Sequence, residues 1–304
     1  MTDLYKDKDK LIDVLEKKLK EKESELSELY SLLERLNSYV KNLIENTETG
    51  IRSAMCLHRK FATKKIPNVN DITFSSRYII STSEINSYFD FFALPDDEGA
   101  GLVICDANGY GVSAMLMSIV VSLIETPYIK SAKIFMETAL KDVNQYLEKD
   151  NGLTFNPKGK SAAMVYLMIQ KKGLLLKYCS VGMPGIIVAR GVDRKILGNV
   201  NGNLIQHNGI KSLEIQEGTF KLHPGDRIIV PNNSLVNAVN DSGDKFTMDG
   251  LIRGLTNSEH LAIADVVNNV GFELDSFIGS KRTRLPGDLV LTGIELERKM
   301  LYVV

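Results

Sequence analysis

Residues 102–114 read LVICDANGYGVSA, an apolar run that ends at Asp106 and continues through Gly109 and Gly111 into a second apolar segment. The first part has the composition of a buried strand, and residues 112–124 are predicted to be helical. Asp106 therefore lies at the end of a strand, and the two glycines let the main chain approach a ligand closely. This arrangement suits either a dinucleotide or a divalent cation.

The dinucleotide interpretation rests on the pattern G-x-G-x-x-A, which the loop matches. Two observations argue against it. Asp106 would place a carboxylate beside a bound pyrophosphate, and the helix after the loop leads into another predicted helix, where a parallel strand with a ribose-binding acid is required. A divalent cation fits better because hard metals prefer oxygen ligands.

Short strands and helices continue on both sides of this loop. Strands are predicted at Ile72–Ile80, Tyr88–Leu94, Leu102–Asp106, Ala163–Gln170, Leu174–Ser180, Gly185–Ala189, Gly218–Leu222, Arg227–Val230 and Leu289–Glu297. Helices are predicted at Val112–Ile124, Ala132–Leu147, Asp249–Leu255 and Ser258–Val270. Hairpins outnumber β-α-β units, so the α/β domain over residues 71–299 should layer helices on largely antiparallel sheets.

A heptad repeat precedes this domain. Its a positions are Ile12, Leu19, Leu26, Leu33 and Val40, and its d positions are Leu15, Leu29, Leu36 and Leu43, with Lys22 out of pattern. About five heptads without proline or glycine predict a coiled-coil dimerisation helix over residues 1–49, either parallel or antiparallel. The alternative is a single amphipathic helix packed on the following domain. Gly50 is predicted to end the helix, and residues 50–70 to form a linker.

The composition excludes several classes of function. Charged residues make up 25% of the chain, hydrophobic ones 44%, and the net charge of −1 gives no basic surface for nucleic acid. Residues 1–10 are charged and do not form a signal peptide, and the apolar helical run 114–124 is shorter than the roughly 20 residues of a membrane span. We therefore expect a cytoplasmic protein. Cys56, Cys105 and Cys179 have no metal-site spacing and are predicted to be buried thiols.

Several motifs, in order along residues 52–298, resemble those of the SpoIIE/RsbU-type branch of the PPM protein serine/threonine phosphatases. The loop resembles the family's D-x-S-G-H-G, with Asn108 and Tyr110 in place of serine and histidine. Residues 85–92, INSYFDFF, are similar to G-G-D-x-x-D-F-F, and 181–184, VGMP, to A-G-H-P. Residues 224–226 match the family's P-G-D, which precedes a strand. Residues 232–234 occupy the position of the family motif T-D-G, and residues 286–289, PGDL, occupy that of D-D-x-T.

The resemblance implies a layered sandwich fold and a site for two Mg²⁺ or Mn²⁺ ions, which activate water to attack phosphoserine or phosphothreonine. Such a site needs several carboxylates to offset two divalent charges. The family's four ligand aspartates fall on Ser87, Asp106, Asn233 and Gly287, so only Asp106 is retained there, and Asp288 lies one residue from its position. Gly109 and Gly111 would form the loop beside the metal or phosphate.

This loss of acids predicts a catalytically impaired pseudophosphatase that regulates by binding a partner, with no catalytic residue assigned and no cofactor expected. The resemblance implies partners such as a STAS-domain protein or an anti-sigma-type kinase of a partner-switching pathway. The alternative is an active phosphatase dependent on Mn²⁺ or Mg²⁺, in which Ser87 and Asn233 contribute neutral oxygen ligands beside Asp106 and Asp288.

Overall fold

The computed structural model describes residues 2–62, 66–79, 81, 86–107, 119–124, 130–148, 161–198, 205–206, 215–256, 261–279, 285 and 287–298. The chain divides into two compact units, Met1–Cys56 and Leu57–Val304. Gly109 and Gly111 lie outside the described residues, so the loop between the predicted strand and helix is known only from the sequence.

The first unit is helical. Helix α1 spans Thr2–Ala62 and passes through Gly50, where we predicted its end. One glycine inside a helix costs only about 1 kcal/mol relative to alanine, which does not stop a long helix by itself. The segment 50–62 of the predicted linker is therefore helical. The predicted seam residues from Leu19 to Leu43 are between 44 and 63% exposed in the single chain.

The second unit contains two antiparallel sheets. Its strands are β1 (Ile72–Ile79), β2 (Ser87–Ala93), β3 (Gly99–Ala107), β4 (Ser161–Gln170), β5 (Leu175–Val181), β6 (Ile186–Arg190), β7 (Asp193–Leu197), β8 (Ile205–Gln206), β9 (Gly218–Lys221), β10 (Arg227–Pro231) and β11 (Leu289–Leu296). The first sheet has the order β1-β11-β10-β6-β7, and the second has the order β2-β3-β4-β5-β9, with β8 beside β4. The predicted antiparallel architecture is confirmed.

Helices cover the sheets. Residues 119–124 form α2, and the others are α3 (Ala132–Glu148), α4 (Asn233–Val236), α5 (Thr247–Thr256) and α6 (Ile263–Ile278), with a 3-10 turn at Pro95–Asp97. Helix α6 ends at Ile278, eight residues after the predicted end at Val270, because Val270, Leu274 and Ile278 continue the buried face. No helix in the described part of the chain is long and apolar enough to cross a membrane.

Strand β3 shows how the sheets and helices are packed. Leu102 and Ile104 belong to the core between the two sheets, whereas Val103 and Cys105 belong to the core beneath α3. A strand that is buried on both faces has no polar alternation, which is why this segment is continuously apolar in the sequence. A third core lies between the first sheet and helices α5 and α6. These layers bring the ends of four strands to one end of the sandwich.

Candidate functional site

Four buried polar residues meet at that end of the sandwich. Ser87 begins β2 and pairs in register with Asp106 near the end of β3. Asn232 follows the last residue of β10, and Asp288 precedes the first residue of β11. Ser87, Asn232 and Asp288 are 0% exposed and Asp106 is 7% exposed. Since β2 and β3 belong to one sheet and β10 and β11 to the other, the site joins both sheets.

The carboxylate of Asp106 is surrounded by hydrogen-bond donors. Its Oδ1 accepts from the hydroxyl of Ser87 at 2.7 Å and from Nδ2 of Asn232 at 3.1 Å, and its Oδ2 accepts from the backbone N–H of Asn233 at 2.7 Å. Burial raises the pKa of the Asp106 carboxyl, and these three donors act in the opposite direction. Both carboxylate oxygens are thus already bonded to protein.

The carboxylate of Asp288 is likewise surrounded by hydrogen-bond donors. Its Oδ1 accepts from the backbone N–H of Ser81 at 2.8 Å, while its Oδ2 accepts from the Tyr78 hydroxyl at 2.9 Å and from the N–H of Asn86 at 3.1 Å. Burial also raises the pKa of the Asp288 carboxyl, against the effect of these donors. Asp288 therefore ties the start of β11 to the segment that leads into β2.

Asn232 lies at the centre of the site. Its Nδ2 is 2.7 Å from the carbonyl oxygen of Asp288, 2.9 Å from Oγ of Ser87 and 3.1 Å from Oδ1 of Asp106. Its Oδ1 accepts the backbone N–H groups of Leu235 and Val290 at 3.0 and 3.1 Å, so it also caps the N-terminus of α4. Asn232 is not among the site residues predicted from the sequence. The available signal was an asparagine directly after a strand, which is a common helix N-cap.

The other predicted ligand positions face elsewhere or carry no side chain. Asn233 reaches Asp106 through its backbone N–H, while its side-chain amide donates to the carbonyl oxygen of Gly182 at 2.9 Å. At Gly287 a Cβ atom would lie 2.7 Å from Cγ of Asn86 and closer still to the amide atoms of Asn86. The structure therefore brings together Ser87, Asp106 and Asp288, with Asn233 contributing its main chain.

Two further aspartates near the family motifs have partners of their own. Asp226 precedes β10, at the opposite end of that strand from Asn232, and accepts two hydrogen bonds of 2.8 Å from Arg190. Asp90, inside β2, accepts from the Tyr88 hydroxyl at 3.0 Å. Both carboxylates therefore have hydrogen-bond partners outside the site.

The donor set gives a direct test of fit to divalent cations. Mg²⁺ and Mn²⁺ need several oxygen lone pairs directed at one point, whereas each carboxylate oxygen of Asp106 and Asp288 already accepts at least one hydrogen bond from an N–H or O–H group of the protein. Within the described residues, no three His, Cys, Asp or Glu side chains are placed to hold a metal ion. In this arrangement the described side chains fit a pair of divalent cations poorly.

The model of the family described as stage II sporulation protein E (SpoIIE) matches residues 96–292, which is well over half of the chain and includes Asp106, Asn232 and Asp288. The chain belongs to the SpoIIE family. Membership confirms the resemblance that the sequence motifs indicated. A comparison with curated proteins finds no match.

Solved structures of SpoIIE-type and related phosphatases have the same fold. The SiaA PP2C domain of Pseudomonas aeruginosa gives a TM-score of 0.63 at 10% identity, over 83% of this chain and 98% of that one. The RsbU and RsbW domains of Rv1364c from Mycobacterium tuberculosis give 0.58 at 16% identity, over 77% of this chain and 64% of that one. The catalytic domain of the phosphatase PstP, solved with two manganese ions, gives a TM-score of 0.52 at 12% identity, over 74% of this chain and 98% of that one. At these identities the comparisons show the fold alone.

Proposed function

We propose that this SpoIIE-family chain is a pseudophosphatase that regulates by binding a partner protein. The observation that carries the proposal is the bonding of Asp106 and Asp288, in which every carboxylate oxygen already accepts at least one hydrogen bond from the protein. A cation would have to compete with these donors for the carboxylate lone pairs, and any N–H or O–H group that it displaced would be left buried without an acceptor.

The charge at the site supports the same proposal. A two-metal centre stabilises both the attacking and the leaving oxygen only if enough negative side chains hold the two cations near each other. Three of the four positions that the family resemblance assigns to ligand aspartates carry Ser87, Asn233 and Gly287. Asp106 and Asp288 are the carboxylates left in the described site, and burial makes the charged form of each less favourable.

Hydrolysis of a generic aryl phosphate tests the proposal. We expect no Mn²⁺-dependent release of phosphate above the level of the Asp106→Asn variant, and no heat of Mn²⁺ binding by titration calorimetry. Asp106→Asn is the control because it removes the one carboxylate retained at a family ligand position. Mn²⁺-dependent turnover by the wild type that disappears in this variant would establish the alternative, an active phosphatase with altered ligands.

The proposed partner is a STAS-domain protein or an anti-sigma-type kinase of a partner-switching pathway. Family membership supports this class, and one solved relative contains an RsbU domain together with an RsbW domain. The proposal includes a cytoplasmic location, in keeping with the buried unpaired thiols of Cys105 and Cys179.

Copurification of this protein with its partner from the native cells tests this part of the proposal. The purified partner candidate is then titrated against the purified protein. We expect a stoichiometric complex with a STAS-domain protein or such a kinase that forms equally well in EDTA. A complex that requires Mn²⁺, or one that contains neither class of protein, would contradict it.

We also propose that the chain is a dimer formed through α1. The support is the heptad pattern together with the exposure of its leucines, of which Leu19 and Leu29 are both 63% exposed in the single chain. Lys22, the residue that breaks the pattern, forms an ion pair with Glu25 of the same helix.

A further inference from the structure

We propose that the carboxamide of Asn232 takes the place of a cation among the oxygens at this end of the sandwich, and that together with Asn86 it holds the two sheets together without metal. The inference rests on the proposed function, because it describes how the buried carboxylates of a pseudophosphatase are held without ions. We call the residues Asn86, Ser87, Asp106, Asn232 and Asp288 the inter-sheet lock.

The first observation is the environment of Nδ2 of Asn232. Three oxygens, from Ser87, Asp106 and Asp288, surround this one nitrogen at 2.7–3.1 Å. A cluster of oxygens from several strand ends around one positively polarised group resembles a cation and its ligands, and here the group is the NH₂ of a carboxamide, which donates through its hydrogens. The amide oxygen is held from the other side by two backbone N–H groups, so the side chain has little freedom to leave.

The second observation is that the side chain of Asn86 fills the space that a side chain at position 287 would need. In the motif resemblance, Asn86 stands at the position of a glycine and Gly287 at the position of a ligand aspartate. A Cβ at Gly287 would come 2.7 Å from Cγ of Asn86, closer than real Cβ atoms approach another heavy atom. Because the backbone of Gly287 is not in the left-handed region, the exclusion of a side chain is steric. Asn86 and a side chain at position 287 therefore exclude each other.

The third observation is that the bonds of the lock run from sheet to sheet. Asn86 lies before β2 and accepts the N–H of Asp288 on its Oδ1 at 2.9 Å, while its own N–H donates to the Asp288 carboxylate. Asn232, after β10, donates to Ser87 and Asp106 of the other sheet. Removing a cation from a cluster of oxygens ordinarily leaves like charges and lone pairs facing each other. Here Nδ2 of Asn232 and the backbone N–H of Asn86 supply the missing donors.

Thermal unfolding of four proteins tests the lock: the wild type, Gly287→Ala, Asn86→Gly and the double variant Asn86→Gly/Gly287→Ala. Each is measured in EDTA and in excess Mn²⁺. We expect the wild-type Tm to be the same in both buffers. Gly287→Ala should lower the Tm by at least about 3 °C through overpacking, and Asn86→Gly alone should lower it because the Asp288 N–H loses its acceptor. The double variant should recover part of the Gly287→Ala loss, because the clash is removed although that hydrogen bond is not restored.

Several outcomes would overturn the inference. They are a Gly287→Ala variant as stable as the wild type, a double variant that recovers nothing, or a wild-type Tm that rises in Mn²⁺. If Gly287→Ala alone does not fold, a double variant that does fold supports the inference in the same way as a recovered Tm. The cycle uses no substrate and no partner, so its failure is distinguishable from a failure of the pseudophosphatase proposal in the aryl phosphate assay.

Discussion

Replacing Asn232 with alanine is expected to lower the free energy of unfolding of the phosphatase-like unit by about 3–5 kcal/mol. The substitution removes the donors to Asp106 and to the carbonyl oxygen of Asp288, and it also removes the acceptor of the Leu235 and Val290 N–H groups. All of these groups lie in the buried interior of the site, where water cannot replace the lost partner without opening the sandwich. The measurement is chemical unfolding followed by circular dichroism.

Asn237→Ala is the matched control for this substitution. Asn237 ends the same short helix, α4, and its side-chain amide donates to the carbonyl oxygen of Asn233 at 2.9 Å, but it is exposed to solvent. Its replacement should change the stability by no more than about 0.5 kcal/mol. If Asn232→Ala is as mild as Asn237→Ala, then the amide of Asn232 does not hold the site together.

Much of the fold could be predicted from residues whose local pattern and final environment agree. Residues 102–105 are continuously apolar because β3 is buried on both faces, and the turn after Gln170 joins β4 to β5 as a hairpin. The short strands β7 and β8 were not predicted. Strand β7 carries polar residues such as Arg194 and Lys195 at an edge of its sheet, where pairing with β6 rather than apolar alternation defines the strand.

The site could be predicted only in part. Family motifs selected Ser87, Asp106 and Asp288, which the structure brings together. The role of Asn232 depends on the register of β10 against β11, which places its side chain between the sheets, and no local pattern encodes that register. The exclusion between Asn86 and Gly287 likewise joins positions 201 residues apart, so it is visible only after folding.

Replacing both Leu29 and Leu36 with lysine is expected to convert the proposed dimer into a monomer. Both leucines occupy d positions and are 63 and 59% exposed in the single chain. Burial of each leucine side chain against a coiled-coil partner stabilises the dimer by about 1.5–3 kcal/mol, and the two chains together bury four such side chains. Loss of that burial, with lysine charges facing each other across the seam, weakens association by at least about 6 kcal/mol, or four powers of ten in the dissociation constant. Light scattering coupled to size exclusion measures the mass.

Ser31→Lys/Ser38→Lys is the matched control for the seam variant. These serines have the same spacing of seven residues and gain the same charge, but they lie at f positions on the outer face of the predicted coiled coil. The control should keep the mass of two chains while the seam variant shows the mass of one. Equal masses for the two variants would rule out association through this seam. Helical content by circular dichroism decides whether a monomeric seam variant still forms α1, because a helix without a partner is only marginally stable in water.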